Sequence, residues 1–216
     1  MRMRRKKHGP ERLAACRELL CERPAAPLRG AADLFGREAP LYLEIGCGKG
    51  GFIRQTAKER PKDCFLAMER VANVMITAVE NAKAEAAERP DDNLRFAVAD
   101  ATALGEWFAP RSLDGIFLNF SDPWPKEGHK KRRLTHRDFL HTYFALLKEG
   151  GELRFKTDNV GLFDFTLEEL AALGVTPAVL TRDLHHSPYA QGNVMTEYER
   201  SFSGQGYPIH MLTVRV

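Results

Sequence analysis

The feature that most constrains the fold is the alternation, from Leu41 onward, of short apolar runs with longer helical stretches. Such alternation is typical of parallel strands joined by crossover helices. The predicted strands are LYLEI (41–45), CFLAM (64–68), LRFAV (94–98), LDGIFLN (113–119), GELRFK (151–156), a segment at 176–182 and IHMLTVRV (209–216). The helices predicted between them are 51–59, 71–88, 135–148 and 162–173. The sequence therefore predicts an α/β fold, a mostly parallel sheet with helices on both faces.

The part of the chain before this pattern has a different character. Residues 1–36 are basic and then rich in Pro, Ala and Gly, with one short helix predicted over 11–21 and no strand pattern. The whole chain, at 216 residues, has the length of one ordinary domain. We therefore predict a basic N-terminal arm, residues 1–36, followed by a single domain, residues 37–216.

Positive charge is clustered although the formal net charge is only +3. Residues 2–29 hold nine Lys or Arg against three Glu, and residues 126–137 hold six more basic side chains. Two basic clusters on a nearly neutral protein indicate a polyanion bound at particular places. A basic run can also be no more than solvated surface, and that alternative stays open for each cluster.

The cysteines and histidines argue against several classes of protein. The four cysteines show no CxxC pairing, which favours reduced thiols in a cytoplasmic protein. The histidines lack ligand spacing with the cysteines, so we expect no metal site. The sequence has no apolar run of membrane-spanning length and no apolar segment behind its basic N-terminus. We therefore expect neither a membrane partner nor a signal peptide.

The segment LYLEIGCGKGG (41–51) follows a predicted strand and opens a predicted helix. Gly46, Gly48 and Gly51 fit the dinucleotide-binding pattern GxGxxG, in which missing side chains let the backbone approach a ligand. Glu44, however, lies two residues before Gly46, where its carboxylate would repel a pyrophosphate but would suit an ammonium group. A nucleoside with a cationic amino-acid end fits these residues, and S-adenosylmethionine is such a ligand.

Two further acids follow the next two predicted strands. Glu69 ends the second strand, about 20 residues beyond the glycine loop, where a carboxylate can accept hydrogen bonds from both ribose hydroxyls. Asp100 ends the third strand, in a position to meet the adenine edge. Each acid alone is equally compatible with a helix cap or a surface role. Together, at the carboxyl ends of successive strands, they predict a crevice for a nucleoside cofactor.

With these residues in view, the chain resembles the class I S-adenosylmethionine-dependent methyltransferases. Their E-x-G-x-G-x-G signature stands here as Glu44 to Gly50, with the glycines at Gly46, Gly48 and Gly50. The resemblance implies a Rossmann-like, seven-stranded sheet whose last strand is antiparallel, and 209–216 is the candidate for that strand. It also implies S-adenosylmethionine as the cofactor.

The stretch SDPWPKEGHKKRRL (121–134) places an acid and a stiff turn directly before a basic run. Pro123 and Pro125 fix φ on either side of Trp124, so Asp122 is held in a defined direction at the end of the fourth strand. The turn alone could be only a tight loop with a packed indole. Next to a cofactor crevice, it indicates that Asp122 faces a base while the basic run holds the nucleic-acid backbone.

The resemblance narrows to the bacterial tRNA (guanine-N7-)-methyltransferases. The matching stretches are LEIGCGKG, the acid in AMER, VADA, the block beginning NFSDPWPK, RFKTDN and TEYERSF. The family implies methylation of guanine N7 at position 46 in the variable loop of tRNA. It implies a cofactor site of Glu44, Glu69, Asp100 and Asp122, with Asp122 also catalytic. The positions implied to touch the target nucleotide are Lys126, Asp158, Thr196, Glu197, Tyr198 and Glu199.

The family's RNA-contacting loop corresponds to Gly128, His129, Lys130, Lys131, Arg132 and Arg133. This chain departs from many relatives at Glu127 and Gly128, where they carry further basic residues. Two local alternatives stay open: KTDN (156–159) could be a helix entry with Asp158 as its cap, and TEYE (196–199) an edge-strand surface. The expected assembly is a monomer or homodimer, in the cytoplasm.

Two other functions remain as alternatives. The first is methylation of an exocyclic base amine, because enzymes of that kind also carry a polar residue, Pro and an aromatic after this strand; they usually show Pro-Pro where Trp124 stands between prolines. The second is an RNA-binding protein with a vestigial cofactor pocket, which the complete set of glycines and acids argues against.

Overall fold

The described residues form a seven-stranded sheet with helices on both faces. The structure is a computed structural model that describes residues 6–86 and 92–216. The strands are β1 (Leu41–Ile45), β2 (Cys64–Met68), β3 (Leu94–Ala97), β4 (Leu113–Asn119), β5 (Leu147–Thr157), β6 (Val179–Thr181) and β7 (His210–Arg215). The helices are α1 (Gly9–Ala14), α2 (Ala32–Phe35), α3 (Gly51–Glu59), α4 (Ala72–Ala84), α5 (Leu104–Trp107), α6 (Arg137–Leu146), α7 (Val160–Ala172) and α8 (Glu197–Ser203).

The strand order is β3-β2-β1-β4-β5-β7-β6. Strands β1 to β5 pair in parallel, and β7 is antiparallel to both β5 and β6. The predicted fold class, including the antiparallel last strand, is therefore confirmed. The order reverses at β1 and β4, so the crevice for a ligand is expected beyond the carboxyl ends of those two strands.

The central strands are buried on both faces, which is why their sequences are continuous apolar runs. In β2, Cys64, Leu66 and Met68 join the core on the face of α6 and α7, while Phe65 and Ala67 join the core on the face of α3 and α4. This two-residue alternation follows from the pleat of a strand. No helix among residues 6–86 and 92–216 has the length and apolarity to cross a lipid bilayer.

The N-terminal segment packs along the edge strand β3. The backbone N–H of Cys21 donates to the carbonyl of Phe96 at 2.8 Å, and Leu28 exchanges backbone hydrogen bonds with Trp107 and Ala109. Leu28 is only 5% exposed and belongs to the main core. Residues 1–5, with three of the basic side chains, lie outside the described residues, as does Glu88, the predicted end of the second helix.

Candidate active site

The glycine loop turns the chain sharply from β1 into α3. Gly46, Gly48 and Gly50 have φ of 77°, 57° and 75°, in the left-handed backbone region that residues other than glycine rarely adopt. At Gly50 a Cβ would also lie 3.1 Å from Cβ of Ala78 on α4. The backbone N–H groups of Gly46 and Cys47 donate to the carbonyl of Met68, which fixes the loop across the ends of β1 and β2.

Two adjoining cavities lie at this edge of the sheet and share Gly46 and Phe120. The larger, of about 500 Å³, is lined by Glu69, Asp100, Thr102, Asp122, Trp124, Lys131, Arg132, Leu134 and Phe139, among others. The smaller, of about 440 Å³, is lined by Glu44, Gly48, Lys49, Asn119, Thr196, Glu197 and Tyr198, among others. Their sizes are those of small-molecule and cofactor sites.

Glu44 is buried in the wall of the smaller cavity. Its Oε1 accepts a hydrogen bond of 2.9 Å from Nδ2 of Asn119, whereas its Oε2 and Oδ1 of Asn119 have no hydrogen-bond partner. Burial raises the pKa of Glu44 from 4.5 to about 7, although the hydrogen bond from Asn119 and the charge of Lys156 oppose the shift. Two buried, unpaired acceptor oxygens suit a ligand with several N–H donors.

Glu69 and Asp100 are fixed by backbone hydrogen bonds at the larger cavity. Oε2 of Glu69 accepts from the N–H of Gly48 at 3.2 Å, and its Oε1 accepts from the N–H of Val71 at 2.9 Å. Oδ1 of Asp100 accepts from the N–H and the hydroxyl of Thr102 and so caps a short 3-10 helix, Ala101–Ala103. Asp100 is thus both a cap and a cavity-lining residue.

The Asp-Pro-Trp turn is rigid and strained. Phe120 and Trp124 have φ of 53° and 41°, which are uncommon for bulky side chains. Nε and a terminal nitrogen of Arg133 donate to the carbonyls of Pro123 and Trp124 at 3.0 and 3.1 Å. The side chain of Asp122 is 72% exposed at the larger cavity. The carboxylate is therefore fixed through its backbone but open to a substrate.

The basic segment after the turn forms a 3-10 helix, Glu127–Arg132. Its side chains differ in direction: Arg132 lies 5.1 Å from the Trp124 ring centre, and Lys130 donates to Glu127 at 2.7 Å. His129 makes an edge contact with the Trp124 ring, and Lys126, Gly128 and Lys131 are exposed. Arg133, in contrast, is only partly exposed and is committed to the turn.

The segment TEYE begins the helix α8, with Thr196 as its N-cap. The hydroxyl of Thr196 accepts from the N–H of Glu199, and the Glu199 carboxylate accepts from the N–H of Thr196, which completes a capping box. Asp158 accepts a 3.2 Å hydrogen bond from the hydroxyl of Tyr198. The alternative of an edge strand at TEYE is therefore wrong, and the N-cap of α7 is Asn159.

Glu199 itself points into the protein. It is fully buried, and its Oε2 accepts a 2.6 Å hydrogen bond from Nζ of Lys156 on β5. Nδ2 of Asn193 donates to its Oε1 at 2.7 Å. Thr196, Glu197 and Tyr198 line the smaller cavity, whereas Glu199 links their helix to the sheet.

The structure brings most of the predicted site residues together around the two cavities. Glu44, Glu69, Asp100 and Asp122 line them with the glycine loop, and Thr196 to Tyr198 close the smaller one. The prediction omitted Asn119, Arg70, Phe120 and Lys156. Asn119 could have been found from the sequence, because it is a polar residue at the end of a predicted strand. Nothing in the sequence indicates that Arg70 lies 3.9 Å from Asp122. Among residues 6–86 and 92–216, no group of His, Cys, Asp and Glu is arranged to hold a metal.

Comparisons with known proteins agree with this architecture. Residues 38–212 match the family model described as putative methyltransferase. The 16S rRNA methyltransferase KamB superposes with a TM-score of 0.63 at 16% identity, over 86% of this chain and 92% of KamB. At that identity the likeness shows the fold alone, a class I methyltransferase fold.

Two curated relatives are similar across most of the chain. One, from Lachnoclostridium phytofermentans, is 46% identical over 83% of this chain and 82% of its own length. Another, from Halalkalibacterium halodurans, is 41% identical over 97% of this chain and 93% of its own length. Both are named tRNA (guanine-N(7)-)-methyltransferase. The chain therefore belongs to the tRNA (guanine-N(7)-)-methyltransferase family, which uses S-adenosylmethionine.

Proposed function

We propose that this protein transfers a methyl group from S-adenosylmethionine to N7 of guanine 46 in the variable loop of tRNA. The observation that carries the proposal is the meeting of two features at one cavity: Asp122 lines it together with Lys131 and Arg132. A polyanion bound to these cations brings a base to the cofactor crevice. The proposed location is the cytoplasm, and monomer or homodimer stays a prediction.

The residues of the crevice fit the cofactor. Glu44 and Asn119 have unpaired buried oxygens for its ammonium group, and Glu69 stands where ribose hydroxyls can donate to it. Leu134 and Phe139 give the cavity beside Asp100 an apolar wall suited to adenine. When bound, S-adenosylmethionine supplies a methyl group that its sulfonium makes electrophilic.

The methyl transfer requires little from the protein beyond the positioning of the two reactants. Guanine N7 has a lone pair and no proton, so no general base is needed. The N7–carbon bond forms as the carbon–sulfur bond breaks, and holding the groups in line can contribute about 7 kcal/mol or more. Positive charge appears on the purine, where a fixed carboxylate stabilises it. We assign that role to Asp122, which accepts a hydrogen bond from N1–H or from the exocyclic amine.

The test is transfer of labelled methyl to unmethylated tRNA transcripts, followed by nucleoside analysis of the digest. We expect N7-methylguanosine in the wild-type transcript and none in a matched transcript with adenine at the target position. N6-methyladenosine would support the exocyclic-amine alternative. Cofactor binding without any label in tRNA would contradict the proposal and support a binding protein.

A further inference from the structure

Four aromatic rings form a continuous row that leads outward from the crevice. The ring centres of Phe120 and Tyr198 are 5.0 Å apart, and Tyr198 stacks on Phe202 at 4.1 Å with an interplanar angle of 18°. Phe202 contacts Tyr207 at 5.7 Å. We call Phe120, Tyr198, Phe202 and Tyr207 the aromatic row. It joins the end of β4, the helix α8 and the loop before β7.

The outer part of the row is exposed to solvent. Tyr198 is 42% exposed and Tyr207 is 55% exposed. Among the Phe, Tyr and Trp residues of the described ranges, only one other, Tyr189, is exposed. Exposed aromatic rings in contact with one another mark interaction surfaces, because the same rings would be more stable in a core.

The inner end of the row belongs to the candidate active site. Phe120 lines both cavities, and Tyr198 lines the smaller one beside Lys49. The acidic side chain of Glu197 is turned toward the start of α3 and not over the row, since a Cβ added at Gly51 would lie 3.1 Å from Cγ of Glu197 and 3.3 Å from its Oε1. A nucleic acid that delivers a base to Asp122 therefore passes next to the aromatic row.

Proteins that read RNA by sequence bind bases that have left the helical stack, and they hold those bases on aromatic side chains. A guanine that reaches the crevice leaves its neighbours without a stacking partner on one side. We propose that Tyr198, Phe202 and Tyr207 form a stacking surface for the bases of nucleotides adjacent to the methylated guanine. This inference rests on the proposed function and names the contact that holds the flanking RNA.

The test compares Tyr207→Ala with Tyr207→Phe, using an unmethylated tRNA transcript. Because stacking contributes on the order of 1–3 kcal/mol per base, Tyr207→Ala should weaken tRNA affinity by about 5- to 150-fold, while Tyr207→Phe stays near wild type. The slope of log affinity against log salt should stay unchanged, since that slope counts phosphate contacts. Tyr189→Ala is the matched control, an exposed tyrosine outside the row, and should bind as wild type.

A second measurement reports stacking directly. A transcript with 2-aminopurine next to the methylated guanine should show a change in fluorescence quenching on binding, and Tyr207→Ala should reduce that change. Wild-type affinity and quenching in Tyr207→Ala would overturn the inference, and so would a reduced salt slope. A change in oligomeric state with unchanged RNA affinity would instead identify a second copy of the chain as the partner. A wild-type protein that methylates no tRNA contradicts the proposed function, which is a separate result.

Discussion

Nδ2 of Asn119 donates a 2.9 Å hydrogen bond to Oε1 of Glu44, and the other two side-chain oxygens, Oε2 of Glu44 and Oδ1 of Asn119, are buried and unpaired. The contact follows from the sheet, because β4 runs parallel to β1 with Phe117 opposite Glu44. Asn119 therefore ends β4 beside Glu44, at the wall of the smaller cavity. The pair presents two unpaired acceptor oxygens there, which is the arrangement that an ammonium group requires.

The first prediction concerns Glu44→Gln, which keeps shape and an acceptor for Asn119 but removes the charge. We expect cofactor affinity at pH 7.5 to fall by about 10- to 100-fold, the usual range for a hydrogen bond to a charged group. The pKa of Glu44 is raised to about 7 in the free protein. A cationic ligand binds the ionised form, so wild-type affinity should fall as pH drops from 7.5 to 5.5. Calorimetric titration at both pH values measures this.

Stability should show the opposite pH dependence. A carboxyl whose pKa is raised from 4.5 to about 7 favours folding below its ordinary value, and that contribution is lost as pH rises through about 7. Glu44→Gln should lack both dependences. An affinity with the same pH profile in the variant and in wild type would remove Glu44 from ammonium binding.

The second prediction separates catalysis from cofactor binding at Asp122. Its side chain is exposed and lies 3.9 Å from Arg70, so Asp122→Asn should leave the fold intact. We expect turnover to fall by about 100-fold or more, as for other groups that stabilise transition-state charge, with cofactor affinity nearly unchanged. Single-turnover methyl transfer and equilibrium binding give the two values. Equal losses in both would assign Asp122 to cofactor binding only.

The sequence predicts the fold well where one residue pattern is enough. Strands β1, β2 and β4 have the predicted ends, because a strand buried on both faces reads as one apolar run. Helix α8 was not predicted, although Thr196 and Glu199 carry a capping-box signal. A helix of seven residues is too short to show a clear apolar periodicity. Its Glu199 is held by Lys156, a buried partner 43 positions earlier in the sequence.

The residues of the candidate site could likewise be predicted only in part. Glu44, Glu69 and Asp100 could be grouped from sequence because parallel strands end at one edge of the sheet. Asn119 also ends a parallel strand and could have been included on that ground, but its hydrogen bond to Glu44 depends on the strand order. The position of Arg70 depends on a loop and could not be predicted. The hydrogen bonds from Arg133 to two backbone carbonyls could not be predicted either, because the sequence does not distinguish one cation of a basic run from another.

The third prediction uses Arg133 to separate the rigidity of the turn from RNA binding. Lysine cannot span the carbonyls of Pro123 and Trp124 as a planar guanidinium does. Arg133→Lys should therefore lower turnover by about 10-fold, through a loosened Asp122, with the salt slope of tRNA binding unchanged. Lys131→Ala should instead reduce that slope by about 1. Reversed results would make Arg133 the phosphate contact.

The fourth prediction concerns the N-terminal segment as part of the core. Leu28→Ala should lower the free energy of unfolding by about 2–5 kcal/mol, because the side chain is almost fully buried. Leu180→Ala, at a leucine that is 45% exposed, should change it by no more than about 0.5 kcal/mol. Urea unfolding measures both. An equal, small effect of both leucine variants on the free energy of unfolding would contradict the burial of this segment in the core. Because truncation would remove part of the core, contacts of the segment with RNA are tested by Arg17→Ala.

The last prediction concerns the buried ion pair of Lys156 and Glu199, which are 1% and 0% exposed in their side chains. Burial lowers the pKa of Lys156, and the charge of Glu199 opposes that shift. Lys156→Met leaves the buried Glu199 carboxylate without its lysine partner and should lower the free energy of unfolding by about 3–5 kcal/mol. Adding Glu199→Gln removes that charge, so the double variant should be more stable than Lys156→Met alone.

The control for this pair is Lys148, whose ammonium lies 2.7 Å from Asp114 in a partly exposed setting. Lys148→Met should cost no more than about 1 kcal/mol. Because Glu199 ties α8 to β5, Lys156→Met should also weaken tRNA binding through Tyr198, and the double variant should regain part of that affinity. If the double variant is no more stable than the single one, the penalty of Lys156→Met comes from lost packing and not from the unpaired charge.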